Sequence, residues 1–509
     1  RQRNAVGDAM LYEYAGRLIV KETWRNGLSW YFEYDDTGIG ARCIHTWGGD
    51  GIYNHKLKFM NGLTEVLDSH DKLTVYHHRD GLVYLKIDAN GGEHRWKYDT
   101  DRKLLQETDP AGNSYLYKYD RWGNCTDNSD PGGGSVSAVF FRKGALRNRP
   151  ISVTTADGGT WMFGYDDKGN VMKRTNPEGA ETKIEYREGL VSRVTDPYGV
   201  MTTLSYDKDG NLTEVADSRG NVLRYRYDRI GRCLRVTNPK GAEQVRKYDL
   251  VGRVVEVEDF DGNHIFLTYD GIDNLVEYRD NLQQVEYRYA GMWKLTSRRD
   301  SRGVVAFRYD GEERLRKGIN ERRQCYDFDL DNTGNVISEV GFDGKRRIYK
   351  RDIAGRVVSE KLPSGTEREY EYDAASRVTR VSYVTTDEPD QTYQYGISGR
   401  LVEAVRGESR VEFTYNTLGL PVTETTDGET ITRTYDKVGQ ILSLQSTLGA
   451  DLKYERNEYG ELVGFKASDG CGEDGGAWHS EHRYDTLGFE VERMLPGGVV
   501  RSFAYDNIG

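Results

Sequence analysis

The sequence predicts an all-β protein: one long, spiralling antiparallel sheet built from repeated hairpins. Three observations carry this. A Tyr-Asp pair followed by Gly recurs every 20 or 21 residues. Residues on either side of that motif alternate apolar and charged. Composition is rich in the residues such a sheet needs, with 36 Tyr and 58 Gly against 10 Pro in 509 residues. Tyr favours a half-buried pleated surface, and Gly supplies the positive φ of tight turns.

The repeat is clearest in mid-chain. Tyr206, Asp207 and Gly210 are followed by Tyr227, Asp228 and Gly231, then by Tyr248, Asp249 and Gly252. Tyr435, Asp436 and Gly439 restate the motif late in the chain. We take these twelve as the structural motif residues. Before the turn, Leu223-Arg-Tyr225-Arg-Tyr227 alternates, which places rings on one face and charges on the other. After it, Leu234-Arg-Val236 alternates again, so each unit holds two strands. The Asp accepts backbone N–H bonds and starts the turn. The opposite end is often Asp/Asn-Pro-x-Gly, as in Asp109–Gly112, Asn176–Gly179, Asp196–Gly199 and Asn238–Gly241, a type I signature. Asp217–Gly220 and Asp300–Gly303 do the same work without Pro.

The pattern weakens between Ile39 and Trp96, from Asp130 to Ile151, and in the Gly-rich Asp469 to Gly476, where longer loops or irregular hairpins are expected. This divides the chain into a divergent start (1-96), a regular wall (97-464) and final repeats with a Gly-rich insertion (465-509). With 509 residues and a 21-residue unit there are about 24 repeats and about 48 strands. Laid flat, they would extend on the order of 230 Å at about 4.8 Å per strand. Open sheets of that width must curl, spiral or close. A β-propeller would need about twelve blades, beyond the usual range.

Net charge is 71 − 82 = −11, which argues against a nucleic-acid surface. Arg346-Arg347 and Lys350-Arg351 read as a solvated strand face. Cys43, Cys125, Cys233, Cys325 and Cys471 are odd in number and far apart, with no C-x-x-C pair, so neither a disulfide framework nor a cysteine zinc site is expected. No apolar run reaches the ~18 residues of a membrane span. Arg1 opens in mid-pattern and Gly509 closes on a motif, as expected of a piece of a longer chain.

The many Asp residues fall at turn positions and read as turn formers rather than acid–base pairs. Six of nine histidines lie between His45 and His94. Adjacent His77 and His78 point to opposite strand faces, and His479 and His482 flank the Gly-rich stretch, so no metal set is expected. Asn124-Cys-Thr and Asn211-Leu-Thr match glycosylation acceptors but follow repeat turns. No Walker loop, nucleophile elbow or H-E-x-x-H motif is present. No catalytic or cofactor-binding residue is therefore nominated.

These features resemble the Rhs/YD-repeat family. Tyr-Asp-x-x-Gly-Arg stands at Tyr227–Arg232 and Tyr248–Arg253, in variant form at Asp352–Arg356, beside the Asp-Pro-x-Gly turns. Thr46-Trp-Gly-Gly-Asp-Gly-Ile-Tyr53 resembles the early part of bacterial Rhs proteins. The resemblance implies a hollow β-shell around a toxic C-terminal domain, delivered by type VI secretion or within an insecticidal toxin complex. It implies an N-terminal plug or spike-binding region, with a secretion spike and chaperone as further partners. It also implies synthesis in a bacterial cytoplasm, then secretion or delivery into a target cell. An internal protease of that family cuts near an Asp-Pro-x-Gly-Leu motif at the end of the repeats. That motif is missing here, since Asp196-Pro-Tyr-Gly-Val200 comes too early. The expected role is shell wall, not enzyme. The alternative is an extracellular YD-repeat adhesion or carbohydrate-binding scaffold.

Overall fold

The computed structural model describes residues 2–468 and 478–506. The expectations placed on the Gly-rich stretch and Cys471 fall largely or wholly outside these residues. The fold is all-β. Among the described residues there are 48 strands, two single-turn 3-10 segments at Gly49–Gly51 and Pro496–Gly498, and no α-helix. The chain forms two compact units. The first takes Arg1–Tyr115, Val245–Glu371 and Ser382–Glu388; the second takes Leu116–Gln244, Tyr372–Val381 and Pro389–Gly509.

In the second unit one repeat shows the local rules. Strand Val222–Tyr227 exposes Arg224 and Arg226 and half-buries Leu223, Tyr225 and Tyr227. It pairs antiparallel with Cys233–Thr237, matching Arg226 to Arg235 and then Tyr227 to Cys233. The register slips by one residue between Arg226 and Tyr227. This is a β-bulge, which leaves one residue out of the ladder. Between the strands, Gly231 N–H donates to Asp228 O at 3.2 Å, and Asp228 Oδ1 accepts from the amides of Ile230 and Arg232, both at 3.0 Å. Gly231 stands at φ 84°, where a side chain would be strained. The far turn at Asn238 uses the same device: Gly241 N–H donates to Asn238 O at 2.9 Å, with Gly241 at φ 87°. Both ends are type I turns closed by a left-handed Gly.

The alternation of 20- and 21-residue spacing has a simple cause. A 20-residue unit replaces one such turn by a two-residue loop. Thr426 pairs directly with Glu429, leaving Asp427 (φ 49°) and Gly428 (φ 92°) as a type I′ turn. Arg187 pairs with Leu190 around Glu188 and Gly189 in the same way. Asp300–Gly303 also differs from the four-residue turn expected of it. Asp300 and Gly303 pair across a two-residue loop.

The motif tyrosine links one repeat to the next. Tyr435 OH donates to Pro421 O at 2.7 Å, and Pro421 is the residue that pairs with Tyr415 across the preceding bulge. Tyr415 reaches Leu401 O at 2.7 Å, and Leu401 pairs with Tyr395. In the first unit Tyr309 reaches Leu295 O at 2.9 Å, and Leu295 pairs with Tyr289. Each hydroxyl thus satisfies the carbonyl of its predecessor's bulge partner. Arg351 stands where a Tyr would, and its Nε–H donates to Val336 O at 2.9 Å. The basic run at 346–351 is therefore not all solvated face: Arg346 and Arg347 are exposed, whereas Arg351 is half-buried in the ladder.

The weak-pattern region 39–96 is more regular than expected. It holds strands Cys43–Gly48, His55–Met60, Leu63–Leu67, Leu73–Arg79, Leu82–Ile87 and Glu93–Tyr98. Its strands form even though the Tyr-Asp signal is lost, and alternation is kept in His55–Met60 and Glu93–Tyr98. From Asp130 to Ile151 a long loop does occur, between Ser135–Phe140 and Pro150–Thr154. The interior is thin. Among the described residues the buried hydrophobic side chains are Ala180, Val236, Val285 and Val381. No helix among the described residues is long and apolar enough to cross a membrane.

Candidate functional site

Within each unit, turns far apart in sequence meet. In the second unit Tyr198 OH donates to Asp436 Oδ2 at 2.6 Å, Asn221 Nδ2 to Thr486 O at 2.6 Å, and Arg219 pairs with Glu461 at 2.6 Å. In the first unit Asn90 Nδ2 donates to Asp331 Oδ2 at 3.0 Å and Tyr53 N–H to Gly311 O at 2.7 Å. Separations run from 238 to 266 residues, about 12 repeats, in both units.

The densest of these contacts is the candidate site. It joins the loop Thr46–Tyr53 and the turn at Asp68 to the turn Asp310–Arg314, all in the first unit. Gly48 N–H donates to Ile52 O at 2.7 Å, and a Cβ on Gly48 would lie 2.5 Å from Ile52 Cγ1. Asp50 (φ 59°) and Tyr53 (φ 47°) take left-handed backbone without being Gly. So does Glu313 (φ 51°), which occupies the slot a repeat normally gives to Gly. Such residues cost on the order of 1 kcal/mol each and persist where the surroundings hold them. Glu313 is buried, and its Oε1 accepts from Met292 N–H at 2.8 Å.

Glu312 carries the polar contacts. It accepts from Ser69 N–H at 2.8 Å, from Ser69 OH, and from His55 Nε2 at 3.1 Å. Burial pushes its carboxyl up, but hydrogen bonds from His55 and Ser69 outweigh burial and hold it down at about 2. Its bond to Glu312 raises His55 in turn. Rings pack alongside: Trp24 lies 5.9 Å from Trp30 and 6.0 Å from Trp293, and Trp30 stacks on Tyr53 at 6.2 Å. This arrangement fixes backbone and joins distant segments.

The twelve motif residues lie at separate turns and do not converge. Tyr206, Asp207, Gly210, Tyr227, Asp228, Gly231, Tyr435, Asp436 and Gly439 are in the second unit; Tyr248, Asp249 and Gly252 are in the first. Asp436 is drawn to a distant turn, by Tyr198. His77 packs near Tyr84, and His78 bonds Thr64 Oγ1 at 3.3 Å. His482 is held by Glu490 and Ser480 at 2.6 and 2.8 Å.

Sequence reasoning named Arg232, Arg253 and Arg356 within the motif but missed what they do. Arg232, Arg253, Arg356 and Arg377 each close on the turn Asp at 2.6 to 2.7 Å. Asn124 and Asn211 do so as amide donors, at 2.8 and 2.9 Å. Their recurrence immediately before a strand was the available signal. Glu313 could have been found as a non-Gly at the Gly slot.

The RHS Repeat family profile matches residues 147–181, 186–221 and 206–243. The Teneurin YD-shell profile matches residues 364–509. No curated protein matches. Among solved structures, a chain of the TcdB2-TccC3-TEV crystal structure is similar at TM-score 0.55 and 16% identity, over 96% of this chain and 32% of that one. A chain of TcdB2-TccC3-Cdc42 is similar at TM-score 0.50 and 16% identity, over 93% and 30%. This chain therefore spans about a third of the chains it resembles, and at this identity the likeness shows the fold. The motif turns, the profiles and the shared fold agree: the chain belongs to the Rhs/YD-repeat family.

Proposed function

We propose that this chain is the wall of a container, a YD-repeat shell that encloses a toxic C-terminal domain of its own parent chain. The carrying observation is the recurrent contact between turns about 12 repeats apart, present in each unit. A strip of sheet whose edge turns bond to later edge turns makes a wall rather than a ribbon. The thin interior supports the same reading. The chain exposes 30026 Å². A compact monomer of 58.1 kDa would expose roughly 19,000 Å². A single sheet wetted on both faces accounts for the excess.

In this reading the partners are the enclosed toxin domain, an N-terminal plug or spike-binding region, and a chaperone during assembly. The shell is made in a bacterial cytoplasm, then secreted or delivered into a target cell, with type VI secretion as the proposed route. It does no chemistry itself. Small-angle scattering tests the container. A filled globule of this length has a radius of gyration near ~23.5 Å. A clearly larger value with a central void is expected, and the compact value would overturn the reading.

The match of residues 364–509 to the Teneurin YD-shell profile favours a second reading, an extracellular adhesion or carbohydrate-binding scaffold. Retention of a defined glycan on an array, lost when exposed Trp293 becomes Ala, would favour it over the container.

A further inference from the structure

We infer that a divalent cation of the zinc class binds between the Asp68 turn and the Asp310–Arg314 turn, with Asp68, His70 and Glu312 as its protein ligands. One ligand atom from each of the three lies within 4.8 Å of the others. Residues 68 and 70 come from one turn and 312 from another over 240 positions later, so the set exists only in the folded unit.

The ligand atoms have spare capacity. The His70 ring makes no hydrogen bond among the described residues; its Nε2 lies 3.7 Å from Asp310 Oδ2, beyond bonding reach. Asp68 Oδ1 is taken by the amides of His70 and Lys72, both at 2.9 Å. Its Oδ2 has Arg314 at 3.6 Å, again too far. Glu312 Oε1 carries the Ser69 bonds, while Oε2 meets only His55, at 3.1 Å.

The side chains of Asp68, Asp310 and Glu312 are 16, 12 and 8% exposed, so these carboxylates are shielded from water. One imidazole with two carboxylates is a mixed nitrogen–oxygen set that suits zinc or manganese, whereas calcium prefers oxygen throughout.

A cavity of about 210 Å³ adjoins one of the three ligands, His70, and is lined also by Lys72, Asp310, Arg314, Arg316 and Asp331. Ligands about 2.0 to 2.2 Å from a zinc sit about 3.3 Å from one another, so the set must tighten. His70 is exposed and unbonded, and rotation of its ring supplies that movement. The bound ion would tie residues 68–70 to residue 312, on top of the existing Glu312 bonds.

The container reading is not a premise, because zinc binding is read on this chain alone. The test is calorimetric titration of the purified, chelator-stripped chain with zinc chloride, with metal content by mass spectrometry. One zinc per chain is expected, with a raised thermal midpoint. His70→Ala should lower the affinity at least tenfold and abolish the thermal shift, while His77→Ala should change neither. Glu312→Gln risks opening the contact altogether; His70→Ala does not, since its ring carries no hydrogen bond. Failure of the wild-type chain to bind one zinc, or an unchanged affinity in His70→Ala, overturns the inference.

Discussion

Removing the hydroxyl from one motif tyrosine isolates the bond between repeats. Tyr435→Phe deletes the 2.7 Å donation to Pro421 O and leaves ring and turn in place. A net hydrogen bond contributes about 1 kcal/mol, and an acceptor left dry costs more, up to about 3. Pro421 is half-buried, so water replaces part of the loss and about 1 kcal/mol is expected. Tyr395, Tyr415 and Tyr484 donate in the same way to Val378, Leu401 and Leu462. Rungs two strands apart are separated by about 9.6 Å, far enough for nearly additive effects. The fourfold Phe variant should therefore lose about 4 kcal/mol locally. Repeat arrays open piecewise, so the assay is native-state hydrogen exchange read over residues 391–468. Tyr225→Phe, in a strand interior, is the control. Equal protection in Tyr435→Phe and wild type, or an equal loss in Tyr225→Phe, would refute the ladder.

Other consequences can be checked alongside. Arg351→Met should cost about 1 to 3 kcal/mol by urea denaturation, because Val336 O and Gly355 O both lose a donor. Gly210→Ala meets no atom within 4 Å and should cost only the strain of φ 84°, about 1 kcal/mol. Gly159→Ala should cost more, since its Cβ would fall 2.3 Å from Thr417 O. Asp436 titrates low: burial raises it, but the Tyr198 hydroxyl and turn amides outweigh burial. A depressed carboxylate stabilises above its unfolded pKa of about 3.9 and loses that stability as pH falls through the folded value. Thermal midpoints of Tyr198→Phe and wild type should thus differ at pH 7 and converge in acid.

The repeat was legible in the sequence because its signals are local. Tyr206-Asp207 with Gly210, or Asn238 with Gly241, specify a turn through contacts no more than four residues long. Alternation fixes which side chains face the same way, and that rule survives over the first residues of His55–Met60, where no Tyr-Asp pair remains. The carbonyl that each Tyr seeks lies 14 to 17 residues back for Tyr435 and Tyr395. That is still within one repeat, yet the bulge that frees it cannot be seen in residue types alone. The candidate site was illegible for a stronger reason. His55 and Glu312 are 257 residues apart, and neither belongs to a recurring pattern. Their meeting depends on how many strands intervene and on how far each adds curvature.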